Sequence, residues 1–116
     1  METTAAVDAL AALAQPTRLD AFRALVRAGP DGISAGGLAR ELDVPPATLS
    51  FHLRHLERAG LVTAERASRS IVYRADDAGM RALLSFLTRD CCGGRPEICG
   101  ELATLAAPCE PEGEGS

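Results

Sequence analysis

The sequence predicts a mainly helical α+β fold on the basis of three neighbouring features. Residues Ser34 to Leu42 have the pattern of a short helix, and residues Val44 to Arg58 have the pattern of a second one. A tight joint at Asp43-Val44-Pro45 separates them, and residues Leu61 to Ala75 alternate as the two strands of a hairpin do. Two short helices with a tight joint, followed directly by a hairpin, predict a winged helix-turn-helix with a two-stranded β-wing.

The second of these helices has two distinct faces. Leu49, Leu53 and Leu56 recur at helical spacing and form an apolar stripe. As the second helix of a helix-turn-helix, it would lie in the major groove of double-stranded DNA. The alternative is an ordinary amphipathic helix in a helical bundle. The residues that we expect to contact DNA from this helix are Ala47, Thr48, Ser50, Phe51, His52, Arg54 and Arg58.

The predicted hairpin carries arginines near its tip, at Arg66 and Arg69. A basic hairpin beside a recognition helix can place its guanidinium groups on phosphates or in the minor groove. The alternative is a solvated hairpin whose arginines only protect a sheet edge from aggregation. The occurrence of both elements side by side favours DNA binding.

The charge distribution agrees with this interpretation better than the net charge does. The chain of 116 residues has a net charge of -4, yet Phe51 to Ala75 holds five arginines against two glutamates. No lysine occurs, so every basic contact apart from histidine would be a guanidinium, which suits bidentate recognition of phosphate or guanine. The acidic residues at the end of the chain lie away from the predicted DNA-binding region.

The remaining helices predict a homodimer. The first spans Thr4 to Ala14, the second starts at Pro16 or Thr17 and ends near Ala28, and the fifth runs from Asp76 or Asp77 to Cys91 or Cys92. With three Phe, one Tyr and no Trp, the core must consist of Leu, Ala and Val and be small, so we expect a partner subunit to complete it. The fifth helix could instead pack within the subunit. The predicted interface residues are Val7, Leu10, Met80, Leu83, Leu84 and Leu87.

Composition and spacing also bear on location and domain organisation. No apolar run approaches the roughly 20 residues of a membrane span, and the first residues lack the basic start of a secretion signal, so a cytoplasmic protein is expected. We divide the chain into a winged-helix domain at 1–107, which includes a sensor segment at 91–99, and a disordered acidic tail at 108–116. A last short helix is expected between Glu97 and Ala106. The sequence shows no nucleophile within a loop long enough to wrap around an oxyanion such as phosphate, so no enzyme is predicted.

The chain resembles the ArsR/SmtB family of small metal-sensing repressors. Gln15-Pro16-Thr17-Arg18 is similar to the family's "QPTR", and LDVPPATLSFHLRHLERAGLV from Leu42 to Val62 is similar to its recognition helix and exit. The resemblance implies a winged-helix homodimer that blocks a promoter until an inducer releases it. The chain departs from the family pattern at Pro45-Pro46, at Ser68 in place of the wing glycine, and at Phe51, which cannot donate a hydrogen bond but can pack on a thymine methyl group.

Three cysteines predict a sensor site. Cys91, Cys92 and Cys99 lie within CCGGRPEIC, where glycines permit a tight reversal, and such thiolates select soft ions. Three sulfurs suit trivalent arsenic, As(III), with antimony, Sb(III), also possible, whereas zinc prefers four ligands. Buried or incidental cysteines are the alternative, and Cys109 is treated as a spectator. DCCGGRPEICG also resembles the C-terminal arsenic site of some arsenical-responsive repressors, which implies the same trio.

These observations together predict a repressor that binds operator DNA as a homodimer and is released when arsenic binds the three cysteines. The alternative is a repressor of the same fold that senses thiol oxidation, or mercury or another soft metal such as zinc, through the same adjacent pair of cysteines.

Overall fold

The computed structural model describes residues 1–89. The predicted short helix at 97–106, the acidic tail and all four cysteines lie outside these residues. Within them the chain forms five helices and three short strands, together with one 3-10 turn at Gly29–Asp31. The helices and strands are α1 (Thr3–Leu13), α2 (Pro16–Ala28), β1 (Ile33–Ser34), α3 (Ala35–Leu42), α4 (Pro46–Arg58), β2 (Val62–Ala67), β3 (Ser70–Ala75) and α5 (Asp77–Thr88).

The three strands form one antiparallel sheet in the order β1-β3-β2. The predicted hairpin is present as β2 and β3, and the short strand β1, which was not predicted, adds to the free edge of β3 with Ile33 opposite Tyr73. This pairing requires a glycine at position 32, where φ is +70° and an added Cβ would collide with the backbone carbonyl of Tyr73.

The joint between α3 and α4 is a tight, hydrogen-bonded turn. Ser34 caps α3 by accepting a hydrogen bond from the Gly37 N–H at 3.0 Å, a common role of serine at the start of a helix. At the other end Asp43 has left-handed angles, φ 56° and ψ 50°, and the N–H of Val44 reaches back to the carbonyl of Ala39. This is a Schellman ending, which stops α3 abruptly and allows α4 to start after a joint of three residues.

The hydrophobic core lies between the helices and the inner face of the sheet. Leucine and alanine dominate it, as predicted, joined by Phe22, Val62 and Tyr73. The apolar stripe of α4 is entirely inside, since Leu49, Leu53 and Leu56 are buried. The largest fully buried side chains are Leu25, Leu38, Leu49, Leu53, Leu56, Leu61 and Val62. The core therefore holds α4 by one face and leaves its other face to solvent.

Candidate nucleic-acid interface

The outer face of α4 is a straight stripe of four exposed residues. Ala47, Phe51, Arg54 and Arg58 follow one another at spacings of four, three and four residues, which keeps them on one side of the helix, opposite the buried leucines. Thr48 is exposed on one flank, and Ser50 is half-buried on the other. The structure thus brings six of the seven predicted contact residues of α4 onto or beside one solvent-facing surface.

The start of α4 presents backbone donors to the same surface. Pro45 is the N-cap, Pro46 occupies the first helical position, and no side chain caps this end. Since the first N–H groups of a helix have no partner within it, those of Ala47 and Thr48 are free of intrahelical bonds. Such groups commonly bind phosphate. The sequence analysis considered only side chains and did not predict this pair of backbone donors. Pro45-Pro46, which favours a helix start, is the signal that could have indicated them.

His52 is placed differently from the other predicted contacts. Its ring is half-buried, and Nδ1 lies 3.3 Å from a terminal nitrogen of Arg18. Because a guanidinium can only donate, this contact is a hydrogen bond when Nδ1 accepts, which requires the neutral ring with its proton on Nε2. Burial, then the charges of Arg18 and His55, lower the pKa of His52 below its ordinary value. The side chain thus contacts another helix of its own subunit, and its predicted contact with DNA stays a prediction.

Arg18 explains the structural part of the Gln15-Pro16-Thr17-Arg18 motif. The side chain of Gln15 caps α2 by accepting from the Arg18 N–H at 2.8 Å, and Pro16 fills the first helical position. The Arg18 side chain donates from Nε to the carbonyl of Ala12 at 2.7 Å, and from a terminal nitrogen to His52. The Arg18 side chain therefore joins the end of α1 to the middle of α4. The motif marks Arg18 in the sequence, but it does not indicate that Ala12 and His52 are its partners.

Phe51 projects from α4 with its ring supported on one side. The ring centroid lies 4.8 Å from that of His55 at an interplanar angle of 73°, and 5.6 Å from that of His52 at 62°. Both are edge-to-face contacts of the kind that aromatic rings favour. The outer face of α4 therefore carries one apolar ring among its arginines, and the two histidines pack against that ring.

The wing lies directly after α4. Its tip is the two-residue turn Ser68-Arg69, in which Ser68 adopts a positive φ of 59°, a conformation that glycine accepts most easily. Arg66 and Arg69 are exposed, and within residues 1–89 neither forms a salt bridge. Arg74 donates instead to Glu65 at 2.7 Å and to the carbonyl of Pro30 at 2.8 Å. The cations available at the wing are therefore those of Arg66 and Arg69.

The six predicted interface residues fall into three groups. Val7, Leu10 and Leu87 are exposed, whereas Met80 and Leu84 are half-buried. Leu83 is only 5% exposed and belongs to the core of its own subunit. For this residue the structure shows the alternative given above, in which the fifth helix packs within the subunit. Helices α1 and α5 contact each other, so the exposed members of the set lie on two adjacent helices.

The residues of the predicted sensor site, Cys91, Cys92 and Cys99, lie outside the described residues. Helix α5 is described as far as Thr88, where the Arg89 N–H bonds to the Phe86 carbonyl three residues back, and its predicted end at Cys91 or Cys92 lies outside the described residues. The Arg89 guanidinium covers the Phe86 ring at 4.9 Å and reaches the carbonyl of Met1 at 3.4 Å. Among residues 1–89 no three His, Cys, Asp or Glu side chains are grouped to hold a metal ion.

Comparison with known proteins agrees with this geometry. A family profile described as a helix-turn-helix domain matches residues 13–65, and a search of curated protein sequences found no significant match. Among solved structures, HlyU from Vibrio cholerae is 30% identical with a TM-score of 0.61, and the match covers 79% of this chain and 99% of HlyU. An ArsR-like transcriptional regulator from Rhodococcus sp. RHA1 is 29% identical with a TM-score of 0.67, covering 93% and 95% of the two chains.

The chain belongs to the ArsR family of transcriptional regulators. NolR from Sinorhizobium fredii is also similar, at 30% identity and a TM-score of 0.58 over 84% of this chain and 86% of that one. In this ArsR-family regulator, α3 and α4 form the helix-turn-helix of the DNA-binding domain, and β2 and β3 form the wing. The prediction that it is not an enzyme is confirmed. Within residues 1–89 no helix is long and apolar enough to cross a membrane.

Proposed function

We propose that this regulator is a homodimeric repressor, acting in the cytoplasm, that leaves its operator when trivalent arsenic or antimony binds Cys91, Cys92 and Cys99. The observation that carries the proposal is the cysteine trio, which begins two residues after Arg89 at the end of α5. The proposal has three parts, concerning the contact with DNA, the dimer and the sensor.

The contact with DNA is supported by the exposed arginines on the outer face of α4 and at the tip of the wing. The exposed stripe of α4 enters the major groove, the free N–H groups of Ala47 and Thr48 bind a phosphate, and Arg66 and Arg69 of the wing bind the neighbouring backbone. In a two-fold dimer the two α4 helices would meet successive major grooves about 34 Å apart. The operator is accordingly expected to be a palindrome.

The homodimer is supported by the way α1 distributes its side chains. The alanines at 6, 9 and 12 face the core of the subunit, whereas the larger Val7 and Leu10 are exposed. On the adjacent α5, Leu87 is exposed as well. A helix that turns its small residues inward and its larger apolar residues outward gains by burying the outer ones against a second copy.

The sensor is supported by the chemistry of its donors and by its position in the chain. Thiolates bind soft ions, and three sulfurs match the coordination that trivalent arsenic accepts. The trio follows α5, and Arg89, the residue directly after α5, donates to the carbonyl of Met1, two residues before α1. An ion that reorders the end of α5 therefore acts on the proposed dimer helices and alters the spacing of the two α4 helices.

The coupling has a minimum size. To convert a dimer population from 99% competent for DNA to 1%, the ion must favour the second state by about 5.5 kcal/mol. Three arsenic–sulfur bonds can supply a difference of that order if they cannot all form in the DNA-bound shape. Coupling is reciprocal, so operator DNA is expected to weaken arsenite binding by the same factor.

Fluorescence anisotropy with labelled promoter DNA tests this mechanism. Arsenite should dissociate the reduced wild-type protein, and Cys92→Ser should bind DNA normally but fail to respond. Cys109→Ser is the matched control, since it removes a thiol outside the trio and should leave the response intact. An unchanged DNA affinity in arsenite, or a normal response of Cys92→Ser, would refute the mechanism.

The adjacent pair Cys91-Cys92 also supports the alternative, a repressor that senses thiol oxidation, mercury or another soft metal such as zinc. Parallel titrations with arsenite, mercuric ion, zinc and peroxide separate these inducers. Release by peroxide or mercury at concentrations where arsenite has no effect would favour the alternative and leave the DNA-binding part of the proposal unchanged.

A further inference from the structure

We propose that Phe51 reads the 5-methyl group of a thymine in the major groove, and so sets part of the operator sequence. This inference rests on the proposed contact of α4 with DNA and goes beyond it, because it assigns one side chain to one chemical group on one base. Three observations carry it: the position of Phe51 on α4, its exposure, and the support of its ring.

Phe51 lies in the first half of α4, one turn beyond Ala47 on the outer face. In a helix-turn-helix the second helix lies in the major groove and its N-terminal residues contact base edges, so we expect the ring of Phe51 to approach those edges. On the exposed stripe Phe51 follows Ala47, whose small side chain permits a close approach, and precedes Arg54 and Arg58. The arginines are therefore placed for phosphate or guanine, and the ring for an apolar group on a base.

The exposure of Phe51 is unusual for its place in the molecule. Its side chain is 55% exposed, and within residues 1–89 it is the one large apolar side chain on α3 or α4 that is exposed. The core already has its α4 contributors on the opposite face, in Leu49, Leu53 and Leu56. The ring therefore adds little to the packing of the subunit and is available to a ligand.

The chemistry of the ring selects the thymine methyl group. A phenyl side chain has no hydrogen-bonding atom, so it matches none of the donors and acceptors on the major-groove edges of guanine, adenine and cytosine. The 5-methyl group of thymine is the one apolar group that these edges offer. Facing any other base, the ring would cover polar atoms without satisfying them.

The neighbours of the ring fix its position before DNA arrives. His55 and His52 both contact it edge to face, and His52 is in turn held by Arg18. A side chain that is already ordered loses less conformational entropy when it binds, so more of the contact energy appears as affinity. The arrangement favours discrimination between bases rather than a loose apolar contact.

The experiment uses a duplex selected from a random DNA pool by the wild-type protein, with each thymine replaced in turn by deoxyuridine. This replacement removes only the methyl group. We expect one thymine in each half-site to matter, with a loss of about four-fold in affinity at one half-site and about fifteen-fold when both are replaced. Phe51→Ala should bind the thymine and uracil duplexes equally, whereas Phe51→Leu should retain part of the discrimination.

Leu19→Ala is the matched control, since Leu19 is an exposed apolar residue on α2 and its loss should leave the preference for thymine intact. Equal affinity of the wild type for every thymine and uracil duplex would overturn the inference, as would full discrimination by Phe51→Ala. Binding of the wild type to no duplex at all would instead refute the proposed DNA contact, so the two failures are distinguishable.

Discussion

At the scale of single residues, Arg18 shows how a side chain outside α4 governs the DNA-facing helix. It holds the Ala12 carbonyl at the end of α1 and His52 in the middle of α4 at the same time. His52 can accept this bond only while its ring is neutral, and its lowered pKa keeps it neutral over more of the pH range. The link between the two helices is therefore sensitive to acid.

The first prediction concerns this link. Because the pKa of His52 is lowered on folding from 6.5, the unfolded chain binds more protons than the folded chain just below that pH. The free energy of unfolding should therefore rise with pH through this window and fall on acidification. Urea unfolding between pH 5 and pH 7.5 measures it for the wild type and for His52→Asn, which keeps an acceptor but cannot be protonated.

The wild type should lose more stability on acidification than His52→Asn does, since both proteins share all other titrating groups. A difference between the two proteins that stays constant across the range would contradict the assignment.

At the scale of elements, α5 is anchored to the end of α4 by backbone contacts. Helix α4 ends in a Schellman motif, with Gly60 at φ +81° and the Leu61 N–H bonded to the Leu56 carbonyl at 3.0 Å. The Asp76 N–H then bonds to the carbonyl of Leu61 at 2.8 Å, and Gly79 of α5 lies against the carbonyl of Gly60. The start of α5 thus rests on the turn that leaves α4.

The second prediction tests this contact with two glycines that differ only in their surroundings. A Cβ on Gly79 would collide with the backbone of Gly60, so Gly79→Ala should lower the free energy of unfolding by about 2 to 3 kcal/mol. Gly36, also helical, has only the end of the Arg40 side chain near such a Cβ, so Gly36→Ala should raise stability by about 0.5 to 1 kcal/mol. Denaturant titration measures both, and equal effects would refute the close approach.

The third prediction concerns the wing. Arg66 and Arg69 are exposed and without a salt bridge in the described residues, so each is free to neutralise a phosphate. Arg66→Ala or Arg69→Ala should weaken binding to every DNA sequence. Either change should also reduce the slope of log affinity against log salt by about 0.9 for each phosphate that is no longer neutralised, which is about 1.8 for a dimer with two wings. Anisotropy titrations at several salt concentrations measure the slope.

The matched control is Arg23→Ala, which removes an exposed arginine of α2 and should leave the slope unchanged. A loss of sequence preference with an unaltered slope would show that the wing reads bases rather than phosphates.

At the scale of the whole molecule, the elements with several turns or a clear alternation could be predicted from the sequence. The helices α2 and α4 and the strand β3 lie within a residue or two of their predicted bounds, because apolar periodicity and breakers such as Pro16 and Gly60 are local signals. Strand β1 has two residues, too few to show alternation, and it exists only because β3 offers an edge.

The sequence was enough to predict which face of α4 is exposed for DNA, but not which side chains its residues and those of the wing contact within the subunit. Arg18 and His52 are 34 residues apart, and the pairing of Arg74 with Glu65 depends on strand register, so neither contact leaves a local signal. Leu83 was predicted to form the interface together with Met80, Leu84 and Leu87, yet it packs inside its own subunit. Helical periodicity shows which residues are apolar, but it cannot separate an internal contact from one between subunits.

The fourth prediction concerns assembly. Val7 and Leu87 are 56% and 51% exposed, and Leu10 is exposed beside them on α1, so a charge at position 10 would disfavour burial of this surface against a second copy. If the proposed homodimer forms through this surface, Leu10→Glu should be monomeric by sedimentation velocity at concentrations where the wild type sediments as a dimer. It should also bind a palindromic operator far more weakly, because a monomer contacts one half-site. Leu19→Glu, an equally exposed position on α2, should remain dimeric; dimers of Leu10→Glu would place the interface elsewhere.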